Sequence, residues 1–204
     1  MSAAPTTMVV PSDTRSRIIE AGTEVVNAKG YHGCGLKEIL DAAGVPKGSF
    51  YHYFKSKEDF GVAVIEDFTA KYTAKLAAKL GDRSRPAIQR LRDHFSDAEA
   101  WYDEHGYEQT CLVAKLGMDV ATMSPDMRSA LKQGIDQWRA VFARCLRDAQ
   151  SQGDVDPRWD ADELSGVLLD AWEGVAMHTQ LAQNTSVIRN FVSVMVDQIL
   201  TKTP

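Results

Sequence analysis

The chain has 204 residues, with 44% hydrophobic and 25% charged side chains, the balance of an ordinary globular protein with enough apolar surface for a core. Its formal net charge of −5 argues against a protein that coats nucleic acid or membrane over its whole surface, while leaving room for one basic face on an acidic body. Nothing approaches the roughly eighteen consecutive apolar residues of a membrane span.

The opening residues, MSAAPTTMVVPS, lack the basic start and apolar run of a signal peptide and show no periodicity, so residues 1–12 read as a loose tail. Cys34, Cys111 and Cys145 are odd in number and far apart, which suits neither a disulfide framework nor a zinc site. A reducing cytoplasm is therefore the expected compartment.

Almost every later segment carries a helical period, and none alternates like a strand, so the expected fold is all-α. A first helix opens at Asp13 or Thr14, carries Ile18, Gly22, Val25 and Val26 on one face and stops at Gly30. After the turn YHGCG, a short helix places Leu36, Ile39, Leu40 and Ala43 at i, i+3, i+4 and i+7, and Gly44 ends it with a left-handed cap. Pro46 or Lys47 opens a third helix of about eight residues. Ser56 caps a long fourth helix, with Glu58 and Asp59 suited to its positive end and with Phe60, Val64, Phe68, Tyr72, Leu76 and Leu80 four apart.

Further helices are expected from Ser84–Pro86 to His105, through the apolar CLVAKLGMDVA, from Ser124–Pro125 to Gln152, over 161–183, and from Ser186 to Thr201. The composition changes only near Phe54–Phe60. This divides the chain into an N-terminal three-helix domain over 13–60 and a C-terminal domain over 61–204, with the fourth helix crossing the boundary.

The stretch GVPKGSFYHYFKSKEDF holds the densest chemistry. It gathers five aromatic rings, and between residues 44 and 57 it has Lys47, Lys55 and Lys57 with no acid. Two short helices joined at Gly44 have the size of a helix-turn-helix, whose second helix enters the major groove of DNA. Phe50, Tyr53 and Phe54 share the face that packs on the other helices. Lys47, Ser49, Tyr51 and His52 fall elsewhere and are free for a partner, Gly48 allows close approach of a backbone, and Lys57 sits at a helix start suited to an anion.

This run, with the preceding GLKEILDAA, resembles the DNA-binding region of the TetR family of bacterial transcriptional regulators over about Arg15–Phe60. The resemblance implies an N-terminal helix-turn-helix domain and a helical effector-binding and dimerisation domain. It also implies that Lys47, Gly48, Ser49, Tyr51, His52 and Lys57 lie at double-stranded operator DNA. The expected function is that of a dimeric repressor released by a small molecule. An activator, or a redox or electrophile sensor acting through Cys111, is the alternative within the same family. Gly35 stands where the family often has a capping threonine.

The last two long helices have wide apolar surfaces, and a homodimer built on Trp172, Val175, Phe191 and Met195 is expected from the family pattern. The middle helices would then enclose the effector, with Trp101, Tyr102, Cys111, Leu112, Met118, Trp138, Phe142 and Trp172 as candidate walls. TCLVAKLGMDVA resembles a segment of family members that respond to reactive, electron-poor molecules, in which asparagine stands at the position of Lys115. One turn from Cys111, the Lys115 ammonium would favour the thiolate. Cys145 reads as structural.

No catalytic pattern competes. GCGLKE lacks the third glycine of a nucleotide loop and follows no strand, and neither HExxH nor GxSxG occurs. An enzyme, a metal and a cofactor are not expected.

Overall fold

The computed structural model describes residues 13–107 and 111–201. Its helices are α1 (Thr14–Gly33), α2 (Leu36–Ala43), α3 (Phe50–Tyr53), α4 (Lys57–Leu80), α5 (Ala87–His105), α6 (Leu112–Val120), α7 (Pro125–Gln152), α8 (Ala161–Ala182) and α9 (Ser186–Phe191). There is no β-strand among the described residues, only an isolated bridge between Val155 and Thr201. Among them, too, no helix is long and apolar enough to cross a membrane.

The helix starts follow capping chemistry. Asp13 accepts from the Ser16 amide at 2.7 Å, Ser56 from Asp59, Ser124 from Met127, and Asp160 from both Asp162 and Glu163. Each bond satisfies an amide that the helix itself leaves free, typically stabilising it by about 1 kcal/mol. Gly44 (φ 64°, ψ 39°) ends α2 in the left-handed conformation, and the Arg17 guanidinium donates to the carbonyls of Ala43 and Gly44 there.

Three expectations are corrected. The third helix is shorter than eight residues: Lys47–Ser49 form a 3₁₀ turn leading into the single α-turn of Phe50–Tyr53, after which Phe54 is extended. The first helix does break at Gly30 (φ 75°, ψ 165°), but the chain at once resumes one more turn to Gly33. The last helix widens into a π-type coil over Val192–Leu200.

In the N-terminal part Phe50, Phe54 and Phe60 pack ring against ring with centroids 5.2–5.7 Å apart, all three fully buried. Each buried ring contributes about 1.5–3 kcal/mol, and the edge contacts add to that. Phe60 lies on α4, so this small core fastens α1–α3 to the long helix. From there α4 runs on to pack against α7, where Thr69 overlies Gly134 and the Trp138 indole donates to the Thr69 carbonyl at 3.4 Å. At the far end the buried Arg90 donates to the Leu80 carbonyl and to Asp148 at 3.0 Å, joining α4, α5 and α7.

Candidate DNA-reading face and effector chamber

The 3₁₀ turn and α3 stand at one corner of the molecule. Phe50 faces inward, which turns Tyr51 outward, 65% exposed, beside the exposed His52, Lys47 and Gly48, with Ser49 half-buried. A Cβ added at Gly48 would meet nothing within 4 Å, so the fold itself does not demand glycine there.

Lys57 is differently placed. Its ammonium points back into the protein, donating to the carbonyls of Tyr31 and Cys34 at 2.8 and 2.7 Å and lying 4.7 Å from the centre of the Tyr31 ring. It closes the free end of α1 and the turn before α2. The Cys34 thiol is buried beneath and donates to the Tyr31 carbonyl at 3.1 Å.

The C-terminal part contains a second concentration of polar groups. Cys111 is the N-cap of α6, and its thiol donates to Glu173 on α8 at 3.7 Å. Burial, and then the Glu173 charge, push this thiol up to about 12. Burial also raises the Glu173 carboxyl, and raises the Tyr72 and Tyr102 hydroxyls, with Cys111 and Glu173 contributing to both tyrosine shifts.

The expectation that Lys115 favours a Cys111 thiolate is therefore corrected. The Lys115 ammonium donates to the Asn27 carbonyl on α1 at 2.6 Å, directed away from the thiol. One turn further on, Asp119 Oδ2 accepts from the Tyr31 amide at 3.3 Å, and the Asp119 carbonyl lies 3.2 Å from His32 Nε2. Thus α6 starts at the Cys111–Glu173 pair and ends on the break in α1.

Around that pair the expected walls divide. Trp138 is buried against Tyr72, with centroids 4.7 Å apart. Phe142 stacks on Phe95, which in turn packs on Trp172 at 4.8 Å. Tyr102 and Leu112 are buried as well. Met118, at 86% exposure, and Trp101, whose ring lies against His105 at the surface, do not face this interior.

Glu173 Oε2 is buried with no hydrogen-bond partner among the described residues, and so, on α5 towards Lys79 and Asp97, is His94 Nε2. His94 packs against Phe95, Phe142 and Trp172, and burial holds its pKa down to about 3, so the ring is neutral at physiological pH. Neither residue was among the candidates from sequence. The lone acid in the apolar run AWEGVA was the legible sign of Glu173.

Of the expected dimer residues, Phe191 lies inside the protomer, packed edge-on against Phe95 at 5.1 Å and beside Trp172 at 5.6 Å. Trp172, Val175 and Met195 are half-buried against the same core. Along α8, Leu164, Val167, Ala171, Gly174, His178 and Leu181 recur alternately three and four residues apart; Val167, His178 and Leu181 are exposed, and Leu164 and Ala171 are half-buried like Trp172 and Val175. Val194 and Ile199 are exposed on the last helix.

Two family models match the chain. The one described as bacterial regulatory proteins, tetR family, covers residues 18–64, and the tetracyclin repressor-like C-terminal domain covers residues 87–195. The transcriptional regulator AcuR of Cereibacter sphaeroides is 35% identical over 91% of this chain and 85% of its own length. The HTH-type transcriptional repressor DhaR of a Mycobacterium strain is 30% identical over 93% of each. The crystal structure of reduced Escherichia coli NemR superposes with a TM-score of 0.86 at 30% identity, covering 94% of this chain and 98% of that one. With both halves matched by family models and a relative 35% identical over most of its length, the chain belongs to the TetR family of bacterial regulatory proteins.

Proposed function

We propose that the protein is a homodimeric transcriptional repressor that holds a palindromic operator through Lys47, Gly48, Ser49, Tyr51 and His52 and lets go when a small molecule enters the space around Glu173. The observation that carries the DNA reading is the unpartnered corner itself. A lysine, a histidine and a tyrosine stand exposed around a glycine that internal packing does not require. Close approach of a phosphate backbone supplies the missing reason for that glycine. Lys57 supports this face by fixing the turn that leads into α2.

Dimerisation supplies the second reading head, since half-sites lie about 34–36 Å apart or at multiples of that distance. The apolar stripe of α8 has the spacing of a helix–helix seam, and with Val194 and Ile199 it offers a surface for the same surface of a second copy. The names of the relatives DhaR and NemR, both HTH-type transcriptional repressors, favour repression over activation. The operator places the protein at work in the cytoplasm.

Release follows from the buried Glu173 Oε2, partnerless among the described residues, which an effector could satisfy. The path from there to DNA runs through α6 onto α1 and through α4. A coupling of about 1–3 kcal/mol along it changes operator affinity roughly five- to 150-fold.

A gel-shift titration against the DNA upstream of the protein's own gene, repeated across salt concentrations, tests the reading. Affinity should fall by several orders of magnitude between low and moderate salt, with two subunits bound per site. A monomer in sedimentation, or binding indifferent to salt, would overturn it.

A further inference from the structure

The cluster around Glu173 has a particular electrical deficiency. Four groups that can carry only negative charge or none (Glu173, Cys111, Tyr72 and Tyr102) are drawn together, and each has its ionisation held back by burial and by one or more of the others or a neighbouring carboxylate. Among the described residues no cation pairs with Glu173. Lys115, on the same helix as Cys111, is turned away to Asn27, and His94 is neutral. Glu173 Oε1 receives the Cys111 thiol, whereas Oε2 is buried and unmatched.

Tyr72 supplies an aromatic face close by. Its ring, on α4, packs edge-on against the Trp138 indole with centroids 4.7 Å apart. The unmatched Glu173 Oε2 is costly inside the protein until something else binds to it. Buried carboxylates are ordinarily paired, because an isolated one loses its hydration without compensation. Aromatic faces beside a carboxylate are in turn the usual surroundings of an organic ammonium ion.

We infer that the effector site selects a small organic cation, an alkyl- or arylammonium whose charged nitrogen pairs with Glu173 and whose apolar part lies against Tyr72 and Trp138. The inference rests on the reading of the chain as an effector-controlled repressor and names the class of that effector. When the cation enters, its ammonium donates to the unmatched Oε2 and favours the ionised form of the Glu173 carboxyl. Cys111 keeps its proton, so no covalent bond forms. A neutral molecule of the same shape would leave Oε2 unmatched, and an anion would face a carboxyl with no compensating charge.

The test uses three probes of equal carbon length: n-butylammonium, 1-butanol and butyrate. Binding to the full-length protein is read by intrinsic tryptophan fluorescence, to which Trp138 and Trp172 contribute, and by the shift in Tm. The cation alone is expected to bind saturably. Glu173→Gln, which keeps shape and removes charge, should weaken it about tenfold or more, while Cys111→Ser should retain it.

Tyr72→Leu gives a second variant that removes the aromatic face while keeping an apolar side chain, and should weaken binding more modestly. Preference for butyrate or butanol, or undiminished cation binding by Glu173→Gln, overturns the charge assignment while leaving an effector chamber intact. Saturable binding of none of the three overturns the site itself. Operator binding in the absence of probes, measured in parallel, reports separately on the repressor reading.

Discussion

The Lys57 ammonium and the Tyr31 carbonyl are 2.8 Å apart, and the same nitrogen reaches the Cys34 carbonyl at 2.7 Å while lying over the Tyr31 ring. A lysine at the edge of a DNA-binding domain is thereby committed to the protein's own turn. Replacing Lys57 with methionine keeps the stem and strips two carbonyls of a charged donor, at a cost of about 1–3 kcal/mol. Expected results are a lower thermal midpoint and weaker operator binding together. Lys47→Ala should weaken DNA binding with no change in midpoint, and should reduce the salt slope by about one.

Tight helix crossings make a second prediction. A methyl group at Gly22 would overlap the Phe60 ring, and one at Gly134 would overlap Thr69. Phe60 is fully buried and Thr69 nearly so, hence neither can retreat without moving its helix. Gly22→Ala and Gly134→Ala should each destabilise by about 1–3 kcal/mol in denaturant unfolding. The first would loosen α1 against α4, and the second α4 against α7.

These two glycines show what could and could not be read from sequence. The four-residue rhythm of Phe60 to Leu80 specifies one long helix whatever surrounds it, and serine caps and glycine stops mark most of its neighbours. Which side of a helix faces home is harder when apolar residues lie all round it. Phe191 and Val194 differ by less than a turn, yet one is buried against Phe95 and the other is exposed. Lys57 was legible as a cation near a helix start, but its direction depends on carbonyls more than twenty residues away. Glu173 and His94 have meaning only through the partners they lack among the described residues, and periodicity carries no such information.

Gly35 offers a gain in stability. It is the N-cap of α2 with φ −93° and ψ 143°, a conformation any residue adopts, and a side chain there would meet nothing within 4 Å. Gly35→Ser adds a hydroxyl to receive a free amide of α2 and reduces the freedom of the unfolded chain. A rise of about 0.5–1 kcal/mol is expected in denaturant unfolding.

The buried imidazole of His94 predicts an acid sensitivity. Its folded pKa is depressed from 6.5 to about 3, so below pH 6.5 the unfolded chain takes up a proton that the folded protein refuses. Stability is unaffected by this group above that pH and falls as pH drops toward 3, with a limiting slope of about 1.4 kcal/mol per pH unit. His94→Phe should flatten that part of the stability profile. An unchanged profile would mean that the ring is not closed off from water.

The thiol of Cys111 should be slow. With its pKa raised to about 12, the thiolate fraction at pH 7 is on the order of 10⁻⁵, against a few per cent for a free cysteine. Cys34 and Cys145 are buried and also raised. Folded protein should therefore react sluggishly with iodoacetamide at all three positions, and rapidly once unfolded. Fast, selective labelling of Cys111 in the folded state would restore it as a direct chemical sensor.

Transmission to DNA depends on the far end of α6. Lys115 and Asp119 both bond to the last turns of α1, and the Gly30 break lets Asp119 approach so closely that a Cβ there would lie 2.9 Å from its carboxylate. Since the same helix begins at Cys111 beside Glu173, a shift of α6 on effector binding would move these anchors or break them. Lys115→Met and Asp119→Asn should raise amide exchange across residues 28–34 and alter operator affinity. A double-mutant cycle of Glu173→Gln with Lys115→Met on that affinity should be non-additive by about 0.5 kcal/mol or more. Additivity would assign the signal to α4 alone, because two sites joined only through a different helix have no reason to sense each other's loss.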